Sequence, residues 1–203
     1  EFDSHLVGSL RYQGHRRLVD TLTAAAGTGP YRSALDLGCG TGLCGALVRP
    51  MVQRLVGIDL SERMLEKARG PGTYDRLECA DLAAFLEHTD ERPDLVLAAD
   101  VFIYIGDLGR VFAGVRRVMA DGVFGFSVEA LDTGDAGDFR LRPSLRYAHS
   151  QAYILRLAAA HGFEPLCVAP GPVREDQRQP IEGLYVCLRR AGQTLRPSSQ
   201  PPT

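Results

Sequence analysis

The sequence predicts an α/β protein built on a mostly parallel sheet, and three observations predict it. Short apolar runs of strand length alternate with segments of helix length, the pattern of a sheet covered on both faces. The first run ends in an acid and turns through three glycines spaced two apart, Leu35-Asp36-Leu37-Gly38-Cys39-Gly40-Thr41-Gly42. A second run, Leu55-Val56-Gly57-Ile58-Asp59, also ends in an acid. Glycine has no Cβ and tolerates positive φ, so backbone can approach a ligand closely. A glycine turn after one strand, with a carboxylate at the tip of the next, is nucleotide-site geometry, the acid accepting ribose hydroxyls.

The elements follow in order. Leu18 and Leu22 at helical spacing mark a helix over 15–26, ended by Gly27. Residues 33–37 read as the first strand, and 43–48 as a helix stopped by Pro50. The second strand spans 55–58. Ser61 can cap a helix through Arg69, with Gly70-Pro71-Gly72 as its stop. A third strand at 77–80, a short helix at 82–86 and a fourth strand at 95–98 follow. Asp107 opens a helix through Met119, and Asp121-Gly122 turns into a fifth strand at 123–128. Residues 131–149 form an insert rich in Gly, Asp and Arg. Ser150 caps a helix over 151–160, ended by Gly162. Strand six spans 163–168, a Pro/Arg-rich loop 169–179, and strand seven 184–188. The last two strands have no helix between them, so strand seven is expected to run antiparallel. Ligands of such sheets bind beyond the carboxyl ends of the strands, which directs Asp36, Asp59, Asp81, Asp100 and Glu129 to one crevice.

At 203 residues the chain fits one domain with a sizeable core. The expected organisation is a single domain over 1–192, with 1–30 as a helical cover and 130–149 as a substrate-side insert. The tail at 193–203, Pro/Ser-rich from Arg196 onward, is expected to be disordered. A formal net charge of −2 gives no bulk electrostatic case for a nucleic-acid partner. No apolar run approaches the ~18 residues of a membrane span. The five cysteines are scattered and mostly in apolar context, which points to reduced thiols and a cytoplasmic setting rather than a disulfide framework. No Cys/His spacing suggests a metal. The chain starts at Glu1 without Met, which leaves open whether residues precede it.

Which nucleotide binds is a matter of charge and spacing. The dinucleotide fingerprint G-x-G-x-x-G would need glycine where Leu43 stands, and Asp36 would repel a pyrophosphate. An acid there suits a cation. The segment resembles motif I of the class I S-adenosylmethionine (SAM) methyltransferases, which have a Rossmann-like, seven-stranded sheet with an antiparallel last strand. Asp59 stands where that family's ribose-binding acid lies, followed by Leu60, Ser61 and Met64. Cys79-Ala80-Asp81-Leu82 matches its motif after the third strand, and Ala99-Asp100-Val101 its fourth-strand motif. The resemblance runs from Leu18 to Arg189. It implies SAM as cofactor, with Asp36, Gly38, Gly40 and Gly42 around the methionine part and Cys39 as a small filler of the turn. In that resemblance Met64 either packs on adenine or belongs to the core, Asp81 binds the adenine amino group, caps a helix or does both, and Leu82 offers its backbone N–H. Asp100 falls among the cofactor-binding residues, where some members place a substrate-orienting group. The Asn/Asp-Pro-Pro-Tyr/Phe of enzymes that methylate amides and base amino groups is replaced by Asp100-Val101-Phe102-Ile103, which removes support for such acceptors.

Phe139-Arg140-Leu141-Arg142, the run from Arg146 to Tyr153 and Phe2-Asp3-Ser4-His5-Leu6 are similar to a bacterial group of methyltransferases associated with tetratricopeptide repeats. No repeat signature occurs in the chain, so a repeat region in a full-length protein would lie upstream of Glu1. Tyr104, Tyr147 and His149 are the candidate catalytic residues. Tyr104 either touches the substrate or covers the sulfonium. His149, Tyr147 and Arg146 either form the acceptor pocket, with His149 as base, or are a solvated rim and a helix cap. The remaining histidines, His15 among them, are expected on the surface. Arg140, Arg142 and Arg146 either favour an anionic acceptor or balance Asp132, Asp135 and Asp138. The expectation is methyl transfer to a small-molecule acceptor. The competing readings are a nicotinamide oxidoreductase on a related fold and a non-catalytic binding module.

Overall fold

The computed structural model describes residues 13–70, 72–132, 134–176 and 179–190. The expectations for 1–12, Pro71 and the tail at 193–203 lie outside the described residues. Helix α1 (Gly14–Ala26) leads into β1 (Tyr31–Leu37), then α2 (Leu43–Val48) and β2 (Val52–Asp59). Next come α3 (Glu62–Arg69), β3 (Arg76–Cys79), α4 (Leu82–His88) and β4 (Leu95–Ala98). A 3-10 turn (Phe102–Tyr104) precedes α5 (Gly109–Val118) and β5 (Gly122–Ala130). The chain ends in β6 (Phe139–Leu141), β7 (Tyr147–His149), α6 (Gln151–Ala160), β8 (Glu164–Asp176) and β9 (Gln179–Arg190).

Seven strands lie in the order β3-β2-β1-β4-β5-β9-β8, with β1 to β5 parallel and β9 antiparallel to both neighbours. That is the expected α/β sheet with its antiparallel last strand. Its side chains alternate faces as the pleat requires. Ala34, Leu95, Leu97 and Cys187 pack with Val19 and Leu22 of α1 and Cys44 and Val48 of α2. Leu35, Leu37, Val96 and Ala98 pack with α4, α5 and α6 on the other face. Leu18 and Leu22 are fully buried, each contributing about 1.5–3 kcal/mol by apolar burial. Phe102, Phe112, Phe124, Phe126 and Phe163 form an aromatic cluster with centroids 4.8 to 6.2 Å apart. It anchors the 3-10 turn after β4, and so one wall of the crevice.

Two segments differ from expectation. The insert, read only as rich in Gly, Asp and Arg, holds two strands: β6 and β7 form an antiparallel hairpin that brings the sheet to nine strands. β9 occupies one edge of β5 from Gly122 to Glu129, so β7 pairs with Glu129 and Ala130 on the other edge, beyond the point where β4 ends. The Pro/Arg-rich stretch is not a loop, because β8 and β9 run through it as a long hairpin. Pro170 and Pro172 are tolerated there because β8 pairs only with β9, and an edge strand leaves one row of N–H positions without a ladder partner.

Candidate active site

The carboxyl ends of β1, β2 and β4 open into a cleft of about 870 Å³. On the β1 side the chain turns through Gly38 at φ +67°, Gly40 at +54° and Gly42 at +93°. A Cβ on Gly38 would meet Val101 at 2.4 Å, whereas one on Gly40 would meet nothing within 4 Å. Gly38 therefore serves close packing against the β4 tip, and Gly40 keeps the floor of the cleft open. Gly42 does not line the cleft; it is the left-handed cap of α2 and packs on the Tyr74 ring.

Asp36 shares the pleat face of Ala34 and is 1 % exposed. Its Oδ2 accepts from the Tyr74 hydroxyl at 2.6 Å, and its Oδ1 is buried without a hydrogen-bond partner. Burial pushes its carboxyl up to about 6, partly opposed by the Tyr74 bond and, more weakly, by the Gly45 backbone N–H, and reinforced by the charge of Asp59; the Gly45 N–H makes no well-formed hydrogen bond to Oδ1. An acid with an orphaned oxygen on a cleft wall is a receptor for a cation or donor. No motif in the sequence marks Tyr74. Gly42, Gly45 and Gly57 together make the space for its ring, and a Cβ at Gly45 would meet its hydroxyl at 2.2 Å.

Asp59 ends β2 with both carboxylate oxygens oriented by backbone. Oδ2 accepts from the Gly40 N–H at 2.9 Å and Oδ1 from the Ser61 N–H at 2.8 Å. Each oxygen keeps acceptor capacity for a hydroxyl. Ser61 caps α3 through Met64 N. Asp81 caps α4, its Oδ1 accepting from Ala84 N at 2.9 Å. Leu60, Met64, Asp81 and Leu82 line the cleft beyond Asp59, as do Cys39 and Asp100. Burial and the nearby acids raise the Cys39 thiol, so it stays protonated. Asp100 sits at φ +55°, and its N–H donates to Ser127 Oγ at 2.9 Å. Such a conformation costs about 1–3 kcal/mol and clusters at functional sites.

Beyond the β4 tip Tyr104, 63 % exposed, lines the cleft, but Tyr147 and His149 do not. His149 is fully buried; its Nε2–H donates to the carbonyls of Ile105 and Gly106 at 3.0 and 2.9 Å. Its ring stacks on Tyr153 at 6.1 Å, and burial lowers its pKa. It bonds the 105–106 segment and does not line the cleft. Tyr147 packs against Phe139 and Gly106. Glu129 does not reach the crevice either: it is 0 % exposed, and its Oε1 accepts from Arg174 Nε at 2.7 Å. Of the three insert arginines only Arg146 lines the cleft. His15, Arg174 and Glu175 also line it and were not expected to. His15 lies three residues before Leu18 on the same helical face, a spacing that places it inward. Arg174 and Glu175 carried no local signal, because only the β8–β9 hairpin brings them over the cleft. Among the described residues no group of three His, Cys, Asp or Glu could hold a metal ion, and no helix is long and apolar enough to cross a membrane.

This architecture, with glycine turn and strand-tip acids around one cleft, is the class I methyltransferase fold. Residues 34–122 match a family described as a methyltransferase domain. Human methyltransferase-like protein 27 is 47 % identical over 79 residues, 37 % of this chain and 32 % of that protein. A malonyl-[acyl-carrier protein] O-methyltransferase of Geobacter sulfurreducens is 35 % identical over 136 residues, 63 % of this chain and 48 % of that one. The chain spans about half or less of the length of these curated relatives. The solved structure of Burkholderia thailandensis 1,6-didemethyltoxoflavin-N1-methyltransferase, with 1,6-didemethyltoxoflavin and S-adenosylhomocysteine (SAH) bound, superposes with a TM-score of 0.70. It is 21 % identical, and the match covers 93 % of this chain and 83 % of that one.

Proposed function

We propose that the cleft binds SAM and that the protein transfers its methyl group to a small-molecule acceptor. The observation that carries this reading is the pair of differently built acids. Asp36 is buried with an orphaned oxygen and suits a cationic group, while Asp59 is held by two backbone N–H groups and suits vicinal hydroxyls. When bound, SAM supplies a methyl carbon activated by sulfonium. In this reading Asp36 and the turn at Gly38 and Gly40 receive the charged tail, and Gly42 shapes that turn from behind. Leu60, Met64, Leu82 and Asp81 enclose the base, with Asp100 and Cys39 completing the wall. The chain's contribution is alignment, which supplies up to roughly 7–11 kcal/mol of a barrier. Tyr104 covers the reacting end. His149 and Tyr147 act as positioning residues behind the Ile105–Gly106 backbone, a change from their expected catalytic role.

Residues 1–192 act as one catalytic domain, with 130–149 on the acceptor side. The five cysteines are free thiols, which supports a cytoplasmic setting. A nicotinamide reading loses support because Asp36 would face a pyrophosphate. Parallel calorimetric titrations with SAM, SAH and NADH test the proposal: the first two bind in the micromolar range and NADH does not. Binding of NADH alone would overturn it. Labelled SAM turned over with a metabolite extract separates an enzyme from a module that only binds.

A further inference from the structure

The three insert arginines have unequal surroundings. Arg140 pairs with Asp135 at 2.5 Å on the exposed face. Arg142 lies 3.7 Å from Glu129 and 3.2 Å from Asp132, and donates to the Ala130 carbonyl at 2.8 Å. Arg174, from β8, pairs with the fully buried Glu129 at 2.7 Å. Arg146 differs from all of these. It lines the cleft, its Nε is buried without a hydrogen-bond partner, and no ion pair among the described residues includes it. A tight turn presents it: Arg142 N–H donates to the Arg146 carbonyl at 2.8 Å, and Leu145 before it is held at φ +59°. β7 begins at the next residue and fastens the turn to β5 through the Ala148–Glu129 pair. The cation thus stands at the acceptor end of the sheet, away from the β2–β3 tips.

An N–H of a guanidinium that loses water without gaining a partner is costly, and the cost is recovered when an anion binds. Resting on the reading of the cleft as a methyl-transfer site, we propose that the acceptor is a small molecule with an apolar body and one carboxylate, and that Arg146 holds that carboxylate. The charge count selects a monoanion. Asp36, Asp59, Asp81, Asp100 and Glu175 line the same cleft, so a dianionic phosphate would meet one unopposed cation among five carboxyl groups. The apolar body has Val101, Tyr104 and Ile105 to pack on, all on the cleft wall.

The test uses benzoate as probe, benzamide as its neutral counterpart and inorganic phosphate as the dianion, each titrated with and without saturating SAH. Wild type should bind benzoate with SAH present and bind benzamide and phosphate at least tenfold more weakly. Arg146→Gln should lose benzoate binding at least tenfold, Arg146→Lys should recover part of it, and Arg140→Gln should bind as wild type. SAH titration of each variant reports separately whether the nucleotide site has formed, so its failure in wild type counts against the cofactor reading alone. Equal binding of benzoate and benzamide, or undiminished binding by Arg146→Gln, would overturn the acid acceptor. Preference for phosphate would replace carboxylate by a phosphorylated acceptor. Benzoate that binds only the free protein and is displaced by SAH would assign Arg146 to the cofactor's own carboxylate and overturn the proposal.

Discussion

On the β1–β3 side of the cleft the ligand-facing groups are a glycine turn and acids at strand tips, each within a few residues of the strand that carries it. On the β4–β7 side they come from separate places: Tyr104 from a 3-10 turn, Arg146 from an inserted hairpin, Arg174 and Glu175 from an edge strand. The first side is held by its own backbone, as Gly40 and Ser61 N–H groups orient Asp59. The second is held by long-range side-chain contacts, His149 to the Ile105 and Gly106 carbonyls and Arg174 to Glu129. A cofactor shared by many enzymes can be bound by a local device, whereas an acceptor particular to one enzyme needs surfaces that vary without disturbing that device.

The largest expected effect breaks the local side. Asp59→Ala removes the acceptor for two hydroxyls and leaves two oriented N–H groups without a partner, so SAH affinity should fall about a hundredfold, ~3 kcal/mol. Unchanged calorimetric affinity would show that the β2 tip is not the ribose site.

Next in size is the pH dependence of Asp36. Its carboxyl is raised from 3.8 to about 6, so in that window the folded protein keeps a proton that the unfolded chain has released. Stability of the free protein therefore falls as pH rises from about 4 to 6 and levels off above. A cation needs the ionised form, so SAM affinity should run the opposite way, falling by up to tenfold per pH unit below 6. Tyr74→Phe removes the bond that favours ionisation and should move this profile to higher pH. A flat profile between pH 5 and 8 in both proteins would remove Asp36 from the cation's contacts.

His149→Ala sharpens the contrast from the other side. The variant leaves two carbonyls without a donor and a void beside Tyr153, for about 2–3 kcal/mol of stability, or roughly 5–10 °C in thermal midpoint. Burial lowers the folded pKa of His149 from 6.5, so the unfolded chain binds the extra proton. Wild-type stability thus has a component that declines as pH drops below 6.5, and the variant should lack it. The pH-rate profile should keep its shape. A lost kinetic pKa with an unchanged melting midpoint would restore His149 as a base.

The smallest effect is expected at Cys39, whose raised pKa keeps the thiol protonated. Cys39→Ser should leave turnover within about twofold, since methyl transfer uses no thiolate. A tenfold loss would give the sulfur a role beyond filling the turn.

The primary sequence alone determined the α/β class, the order of the first five strands with their helices, and Asp36, Gly38, Gly40, Asp59 and Asp81 as residues of one cleft. These are local features, in which the signal and the geometry share one short stretch of chain. Tertiary structure decided the rest. Tyr74 reaches Asp36 across 38 positions, and only the parallel β1–β2 pairing makes them neighbours. The Pro/Arg-rich segment became strand because β9 was there to pair with it, a partner that local propensity does not register. His149 and Arg146 stand three residues apart in one run, yet one is sealed behind the cleft wall and the other faces into it. Short β7 alternates its side chains and pairs with β5, and that pairing sets which side turns inward.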